Sequence, residues 1–304
     1  INRRKKIINL EELKRFKFKS YFANRPNFTG AKDDELIFLK FVTNKNEIKC
    51  MIINYASHPT LVRGNVVSSD YPGFVRSNIE TYYSKKITIC FLLGFSGNLK
   101  ANLIYKTKFN WRHLSKSFYH LLFDNFHFKK KLNLNEIKKY SKKISNSIIG
   151  KNSYIKINPS IKCRSKKIRL KFKEYSLEEI YKKNNTSDYE VKKYLEFLKK
   201  NQKKNYKTLN IQKISLSDNV IFLALSGEVF SEYSIWLKKI ADKRNILAIP
   251  VSCANGLMGY LPTQKALKKE GGYEVDRILI EHGMPSKFDD SIELNVKTNI
   301  EKIL

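Results

Sequence analysis

The stretch that best indicates the fold reads IKCMIINYA from residue 48 to residue 56 and continues as SHPT at 57–60. A second apolar run occupies 35–42, and the polar residues 43–47 between the two runs predict a hairpin of two strands. Three further apolar runs predict strands at 87–93, 220–225 and 246–251.

Apolar side chains recur with the period of a helix between the last two predicted strands. The predicted helical face consists of Val229, Tyr233, Trp236 and Ile240. Strands that alternate with helices in this way predict an α/β fold with a mixed β-sheet core and flanking helices.

The segment 107–210 differs from the rest of the chain because it is richer in Lys and Asn and poor in Gly. One predicted helical face comprises Ile137, Tyr140, Ile144 and Ile148, and another comprises Val191, Tyr194, Leu195 and Leu198 behind a capping box of Ser187 and Glu190. We therefore predict a helical, Lys-rich insertion or lid at 107–210. It would separate the first part of an α/β catalytic domain, 1–106, from the second part, 211–304.

The composition is that of a globular protein with a basic surface. The 304 residues carry a formal net charge of +31 and 42% are hydrophobic, so the chain can bury a core. The longest apolar run, from 87 to 95, is far shorter than the ~20 residues that cross a bilayer. The four cysteines, Cys50, Cys90, Cys163 and Cys253, show no CxxC spacing and predict neither a disulfide framework nor a thiolate zinc site.

The positive charge does not by itself predict a nucleic-acid partner. Its lysines are dispersed, and no nucleic-acid-binding motif accompanies them. We expect no specific nucleic-acid partner, and we expect the Lys-rich insertion to offer a basic face to an anionic surface. The first six residues, INRRKK, lack the apolar segment of a signal peptide, so a bacterial cytoplasmic location is predicted.

A short loop of small and polar residues follows each of four predicted strands. The loops read SHPT at 57–60, GFSGN at 94–98, SGE at 226–228 and CANG at 253–256, and the last continues to Gly259 and Tyr260. Ligands of α/β proteins bind beyond the carboxyl ends of the strands. The four loops are therefore predicted to converge on one site.

His58, Glu228 and Tyr260 in these loops form a chemically coherent set. Imidazole and carboxylate are ordinary zinc ligands, and a catalytic zinc ion keeps one position open for water. Each residue also has a structural explanation: a buried imidazole bonded to a carbonyl, a glutamate in the first turn of a helix, and a core tyrosine. Since the five histidines form no HxH or HExxH, spacing alone does not decide between these readings.

Four motifs follow one another in a defined order along the chain. They are NYASHPT at 54–60 with VSSDYPG at 67–73, GNLKAN at 97–102, SGEVF at 226–230, and the stretch 255–263 with GGYE at 271–274. In this order they resemble motifs of the neutral/alkaline non-lysosomal ceramidases and their uncharacterised bacterial relatives. The resemblance extends over nearly the whole chain outside the predicted insertion.

The resemblance implies a role for each matched residue. His58 matches the second zinc histidine of the family, Glu228 its zinc glutamate and Tyr260 its zinc-proximal tyrosine. Tyr273 matches a second active-site tyrosine, which would help to hold the scissile carbonyl. Asp70 matches an aspartate that can orient the ligand histidine through its other ring nitrogen, and a turn-forming Asp is the alternative.

Two departures of the sequence from the family concern the site. The family's first zinc histidine precedes an Asn-Arg-Arg that matches Asn2, Arg3 and Arg4, so this ligand is expected outside the chain. The sequence would then be part of a longer enzyme, require a partner chain, or have a degenerate metal site. Lys100 occupies the position of the catalytic serine and Asn98 that of an aspartate, so the loop would present a cation and an amide to the substrate.

The resemblance therefore implies a zinc-dependent amidohydrolase that uses one Zn²⁺ ion to cleave a linear amide bond. The expected substrate is an amide-containing small molecule, either an N-acyl lipid or an N-acyl sugar. The predicted catalytic residues are Tyr260, Tyr273, Asp70 and Lys100, the substrate-binding residues are Asn98, Asn102 and Asn255, and the metal ligands are His58, Glu228 and Tyr260. The alternative is a non-catalytic remnant or binding protein that has lost the complete metal site.

Overall fold

The computed structural model describes residues 1–15, 19–84, 87–151, 155–176, 178, 189–200 and 205–304. The strands are β1 (Asn2–Ile8), β2 (Ser20–Asn27), β3 (Leu36–Val42), β4 (Ile48–Tyr55), β5 (Thr88–Leu93), β6 (Ile104–Lys106), β7 (Phe126–Phe128), β8 (Lys162–Lys171), β9 (Tyr206–Ser217), β10 (Val220–Leu225), β11 (Glu228–Val229), β12 (Leu247–Val251) and β13 (Tyr260–Leu261). The α-helices are α1 (Leu10–Lys14), α2 (Asp70–Tyr82), α3 (Leu114–Leu122), α4 (Leu134–Asn146), α5 (Tyr189–Lys200), α6 (Ser231–Asp242), α7 (Ile278–Glu281) and α8 (Ile292–Glu301). A 3₁₀ turn at Trp111–His113 and π-helical segments at Ala266–Glu270 and Tyr273–Arg277 also occur. Ser187 of the predicted capping box lies outside the described residues.

Strands β3, β4 and β5 form a mixed sheet in which β3 runs antiparallel and β5 parallel to β4. The predicted hairpin is thereby confirmed. Because side chains alternate along a strand, Met51 and Ile53 share one face of β4. They form an apolar cluster with Val75 of α2 and Ile144 of α4, so these two helices cover that face.

Strands β12, β10, β9 and β8 form a second mixed sheet in that order. The central strand β10 reads VIFLAL, and all of its side chains are buried, as is typical of a strand covered on both faces. On one face Leu223 belongs to an apolar cluster with Leu237 of α6 and Val296 of α8. These helices therefore cover the second sheet.

The two sheets pack against each other through their remaining faces. Phe222 of β10 and Ile249 of β12 cluster there with Ile52 of β4. The Asn54 side chain donates to the carbonyl of Pro250 at 2.8 Å, which joins β4 to β12 across the interface. The order helices, sheet, sheet, helices gives four layers and confirms the α/β fold.

The predicted helical insertion is only partly helical. Helix α4 buries Ile137 and Ile144 of the first predicted face, and α5 buries the whole second face, Val191, Tyr194, Leu195 and Leu198. However, β8 lies within 107–210 and β9 begins there, and β9 is an interior strand of the four-stranded sheet. The segment therefore supplies strands of the four-stranded sheet besides the predicted helices, so it is not a purely helical insertion. Strand β8, KCRSKKIRLK, escaped detection because only Ile168 and Leu170 are buried in it. The boundaries 106 and 211 stay predictions.

Besides the two larger sheets, the described residues form three two-stranded ribbons. β1 pairs with β2 and β6 with β7 antiparallel, whereas β11 pairs with β13 in parallel. The last ribbon follows the carboxyl ends of β10 and β12, where the sequence predicts the site. Among the helices of the described residues, none combines the length and apolar character needed to span a membrane.

Candidate active site

His58, Glu228 and Tyr260 meet at the carboxyl ends of the strands. His58 lies in the loop after β4, while Glu228 of β11 and Tyr260 of β13 are direct partners across the parallel ribbon. The His58 Nε2 atom is 3.3 Å from Glu228 Oε2. The fold thus brings together three ligand-type side chains from three separate segments.

The loop after β5 sets the position of Glu228. The amide of Gly97 donates to the carbonyl of Val229 at 2.7 Å. A Cβ atom at Gly97 would lie 2.4 Å from the carbonyl oxygen of Glu228. Because that obstacle is backbone, only glycine permits this close approach without a shift of the ribbon.

Arg3 of β1 also belongs to this site. Its Nη2 donates to the Tyr260 hydroxyl at 2.9 Å and to the carbonyl of Gly97 at 2.8 Å. Its Nε lies 2.9 Å from Glu274 Oε1, and both side chains of this ion pair are buried. We call His58, Glu228, Tyr260 and Arg3 the crevice cluster.

The crevice cluster combines an ionised carboxylate with a protonated phenol. Burial opposes ionisation of Glu228, but interactions with His58 and Tyr260 and the charge of Arg3 outweigh it, so the pKa of Glu228 is lowered. Burial raises the pKa of Tyr260; the Arg3 charge opposes this rise and the Glu228 charge adds to it. At neutral pH the Tyr260 hydroxyl therefore keeps its proton.

Two ligand-type atoms in the cluster are buried without a hydrogen-bond partner among the described residues, His58 Nδ1 and Glu228 Oε2. The short His58–Glu228 contact is thus not aligned as a hydrogen bond. An unsatisfied buried polar group costs about 1–3 kcal/mol, which favours a cation beside Glu228 Oε2, where the Nε2 atom of His58 faces it. Imidazole nitrogen and carboxylate oxygen are zinc ligands, so the residues present fit a zinc ion.

Tyr273 lies beside the crevice cluster. Its ring meets the Tyr260 ring edge-on, with centroids 6.1 Å apart. Its hydroxyl donates to Glu281 Oε2 at 2.7 Å, and burial together with Glu281 raises the pKa of Tyr273 to about 12. The tyrosine matched to the second active-site tyrosine is therefore close to the site, with its proton engaged by Glu281.

The Asp70 carboxylate binds the backbone of the loop that carries His58, and it does not bind the His58 imidazole. Asp70 Oδ2 accepts hydrogen bonds from the amides of Leu61 at 2.8 Å and Val62 at 2.7 Å, and Oδ1 accepts one from Tyr71. Since His58 Nδ1 has no partner, the predicted contact between Asp70 and the His58 ring is not formed. Asp70 instead begins α2 and ties the backbone of residues 61 and 62 to the start of that helix.

Asn98 is fully buried at the start of α6. Its Oδ1 accepts from the amide of Ser231 at 2.8 Å, and its Nδ2 donates to Glu232 Oε2 at 2.7 Å. Because both polar atoms of the side chain have partners inside the protein, this geometry argues against the predicted contact with substrate.

Lys100 is buried next to the start of β1. Its amide donates to the carbonyl of Ile1 at 2.9 Å, and its Nζ lies 4.9 Å from the ring centre of Phe128. Burial, and then the charges of Arg63 and Arg3, lower the pKa of Lys100 to about 8. The residue that the resemblance matches to a catalytic serine is therefore a buried lysine with a pKa of about 8.

Asn102 and Asn255 are exposed. The Asn255 side chain donates to Gln212 Oε1 at 2.7 Å. Their assignment as substrate-binding residues stays a prediction.

The structure brings two further groups to the site, Arg3 and His282, to which the matched motifs assign no role. Arg3 stands in the basic stretch INRRKK, yet it is buried, and its partner Glu274 is the last residue of the GGYE motif. The His282 ring lies 3.3 Å from the position that a Cβ of Gly259 would take. Burial and Lys207 lower the pKa of His282, while the Glu228 charge opposes this shift. The match of Asn2, Arg3 and Arg4 to the family's Asn-Arg-Arg is the one signal in the sequence that could have marked Arg3.

The fold and the crevice cluster define an α/β protein with a polar site at the carboxyl ends of its strands. Its fold is ceramidase-like. The crystal structure of neutral ceramidase from Pseudomonas aeruginosa matches with a TM-score of 0.58 and 14% identity, over 96% of this chain and 49% of that chain. A ceramidase complexed with C2 matches with a TM-score of 0.57 and 12% identity, over 88% of this chain and 47% of that chain. The chain thus spans about half the length of these structures. No protein-family model and no curated protein sequence matches it.

Proposed function

We propose that the crevice cluster is the active site of a metal-dependent hydrolase that cleaves linear N-acyl amide bonds. The observation that carries this proposal is the buried, unpartnered Glu228 Oε2, which lies 3.3 Å from His58 Nε2 on a ceramidase-like fold. His58, Glu228 and Tyr260 would hold one zinc ion, together with the histidine that the resemblance assigns to a position outside this chain. A bound zinc ion would supply polarisation of the amide carbonyl and a lowered pKa for water.

The chain's own residues prepare the site electrostatically. The lowered pKa of Glu228 keeps this side chain in the ionised form that binds metal. Arg3 orients the Tyr260 hydroxyl from 2.9 Å, and the ion pair with Glu274 fixes Arg3 in turn. The buried positive charge of Arg3 favours a reaction in which negative charge develops on a carbonyl oxygen.

Lys100 is the proposed source of the proton for the leaving amine. General acid catalysis is most effective when the pKa of the acid lies near the operating pH. With a pKa of about 8, Lys100 meets this requirement, whereas an ordinary lysine does not. The backbones of Lys100 and Ile1 form hydrogen bonds in both directions. Lys100 is thereby held beside Ile1, which precedes Arg3 by two residues.

The proposed substrates are an N-acyl lipid and an N-acyl sugar. We would offer the full-length natural protein N-acylsphingosine, N-acylglucosamine and an N-acyl amino acid with the same acyl group, and measure the released amine. We expect hydrolysis of the lipid or the sugar, loss of activity after chelation and recovery with Zn²⁺. Hydrolysis that persists in a chelated, metal-free protein would contradict the proposal.

Variants test the ligand assignment separately from turnover. His58→Ala and Glu228→Gln should lower bound zinc in the full-length protein, whereas His113→Ala, an exposed histidine, is the matched control. Zinc content unchanged in both crevice variants would show that the ion is bound elsewhere.

A non-catalytic binding protein is the second candidate. It is favoured by the lysine at the position of the family's serine and by the presence of only two conventional zinc ligands, His58 and Glu228, in the crevice cluster. In this case calorimetry would detect binding of an N-acyl compound to the full-length protein, without release of amine in the presence of zinc. Amine release would exclude this candidate.

We also propose that the surface around α3 binds an anionic lipid bilayer. Trp111, Phe118 and Leu122 expose 79%, 53% and 69% of their surfaces. Residues 101–123 contain Lys106, Lys108, Arg112 and Lys116 and no acidic residue. Exposed apolar side chains next to cationic ones are typical of helices that lie in the interface of an anionic membrane.

Vesicle sedimentation tests this surface. We expect binding to vesicles of phosphatidylserine and phosphatidylcholine, and weaker binding after Trp111→Ala with Leu122→Ala or at high salt. Leu294→Ala, at an exposed leucine of α8, is the matched control. Equal binding to pure phosphatidylcholine, or by the double variant, would contradict the proposal.

A further inference from the structure

A second cluster of ligand-type side chains lies outside the crevice. His120 is near the end of α3, Asp124 is in the following turn and His127 is in β7, so the sequence reads HLLFDNFH from 120 to 127. We call these three residues the hairpin cluster, since β7 belongs to the β6–β7 hairpin. Among the described residues, this is the one group of three or more His, Cys, Asp or Glu side chains whose ligand atoms all lie within 4.8 Å of one another, close enough to hold a metal ion.

The ligand atoms of the hairpin cluster are close to the spacing that a metal ion requires. His120 Nδ1 and His127 Nε2 each lie 3.8 Å from Asp124 Oδ2. They lie 3.2 Å and 2.8 Å from the backbone carbonyl oxygen of Asp124. In a tetrahedral zinc site with bonds of about 2.0–2.1 Å, the ligand atoms are ~3.4 Å apart. The two contacts with the carboxylate would contract by a few tenths of an ångström, and all three ligand atoms lie within 4.8 Å of one another.

The surroundings hold these groups in place. Asp124 is 1% exposed, and the Arg25 Nε of β2 lies 3.0 Å and 2.9 Å from its two carboxylate oxygens. An ionised carboxylate has about four acceptor sites, so Arg25 leaves capacity for an ion. The His127 ring stacks on Tyr105 with centroids 5.6 Å apart, which fixes the direction of its nitrogens.

We propose that the hairpin cluster binds a divalent transition-metal ion of the zinc type through His120 Nδ1, His127 Nε2 and Asp124. Two imidazoles and one carboxylate are a common ligand set for zinc and its neighbours. Binding requires that both rings carry their proton on the other nitrogen, a change of tautomer that alters no net charge. Arg25 acts as a positioning residue that orients the carboxylate. This site is independent of the proposed hydrolase activity.

Calorimetric titration with Zn²⁺ alone tests the proposal. The full chain carries His58→Ala, which removes the crevice histidine, and we expect it to bind one ion. Adding His127→Gln or His120→Ala should weaken binding by more than tenfold, because loss of a direct ligand exceeds the roughly 10-fold minimum for an outer-shell partner. His113→Ala is the matched control and should leave the affinity unchanged.

Co²⁺ provides a spectroscopic readout that does not depend on activity. The His58→Ala protein should give the visible absorption of four-coordinate Co²⁺, and the added His127→Gln change should remove it while circular dichroism shows an intact fold. The proposal is overturned if Zn²⁺ does not bind to the His58→Ala protein, or if its affinity survives both histidine changes. In that case the two rings only donate hydrogen bonds to the Asp124 carbonyl.

Discussion

The crevice cluster and the hairpin cluster contain similar side chains but are built in opposite ways. The crevice cluster draws His58, Glu228, Tyr260 and Arg3 from four distant segments. The hairpin cluster takes its three members from eight consecutive residues, 120–127, with Arg25 as a remote partner. Two ligand atoms in the first are buried and unpartnered, whereas in the second the ring nitrogens are bonded to the Asp124 carbonyl.

This difference shows how each site depends on the rest of the fold. The crevice cluster forms only when β1, the loop after β5 and the β11–β13 ribbon are correctly placed relative to one another. A change in any of these segments should therefore disturb the cluster. The hairpin needs only one turn and its flanking elements. The two sites should therefore respond separately to substitutions.

The largest effect is expected from Glu274→Gln. Glu274 is buried between Arg3 and Arg4, with contacts of 2.9 and 2.5 Å, and its neutralisation leaves the buried Arg3 without a carboxylate partner and Arg4 with Glu270 alone, at 3.2 Å. Breaking a buried pair in this way should lower the free energy of unfolding by about 3–5 kcal/mol. Chemical denaturation measures this change.

Glu80→Gln is the matched control for Glu274→Gln. Glu80 forms an i,i+4 pair with Arg76 at 3.5 Å on the surface of α2, so a change of about 0.5 kcal/mol or less is expected. Zinc binding at the hairpin cluster should persist in both variants under native conditions. Equal losses of stability in the two variants would show that the Arg3–Glu274 pair does not hold the crevice.

A smaller loss is expected from Gly97→Ala. The added Cβ would lie 2.4 Å from the Glu228 carbonyl, so the β11–β13 ribbon must shift. Overpacking of this kind costs about 1–3 kcal/mol, and the shift should also lower zinc binding at the crevice. Gly64→Ala, where nothing lies within 4 Å of the added atom, is the control for added volume, although its positive φ adds backbone strain. Unchanged stability and metal binding after Gly97→Ala would contradict the close approach.

Much of the fold could be predicted, because burial leaves a pattern in the sequence. The continuous run of β10 and the hairpin of β3 and β4 are examples. β8 could not be predicted, since its exposed residues are mostly charged and its stability comes from pairing with β9. Arg3 could not be assigned either: its burial depends on Glu274, far along the chain, and local composition made it resemble a solvated residue.

The candidate site was predictable to a similar extent. The resemblance placed His58, Glu228 and Tyr260 in one site because the motifs keep their order. The true contacts of Asp70 and Asn98 are backbone and capping interactions, which residue identity does not distinguish from ligand contacts. The hairpin cluster was missed because its HxxxDxxH spacing crosses from a helix into a strand.

The smallest effect is a dependence on pH. The pKa of Lys100 is lowered from 10.5 to about 8, first by burial and then by Arg63 and Arg3. Between pH 8 and pH 10.5 the folded protein has lost a proton that the unfolded chain still binds, so the contribution of Lys100 to the free energy of unfolding rises with pH. Lys100→Met should therefore stabilise the protein most below pH 8, and its advantage should shrink toward pH 10.5.

Denaturation of wild type and Lys100→Met at pH 7 and pH 10 checks this sign. Lys106→Met, at an exposed lysine, should show a difference from wild type that is nearly constant with pH. A Lys100→Met advantage that grows with pH would contradict the assigned pKa shift.

The most direct test of the central claim compares one histidine from each cluster. Hydrolysis of an N-acyl substrate is measured in the full-length natural protein with His58→Ala and, separately, with His127→Ala. We expect His58→Ala to lose more than about 100-fold in activity, as a direct ligand should exceed the 10–100-fold range of outer-shell partners, and His127→Ala to retain most of it. Activity that survives His58→Ala, or falls equally in both variants, would contradict the assignment of the crevice cluster as the active site.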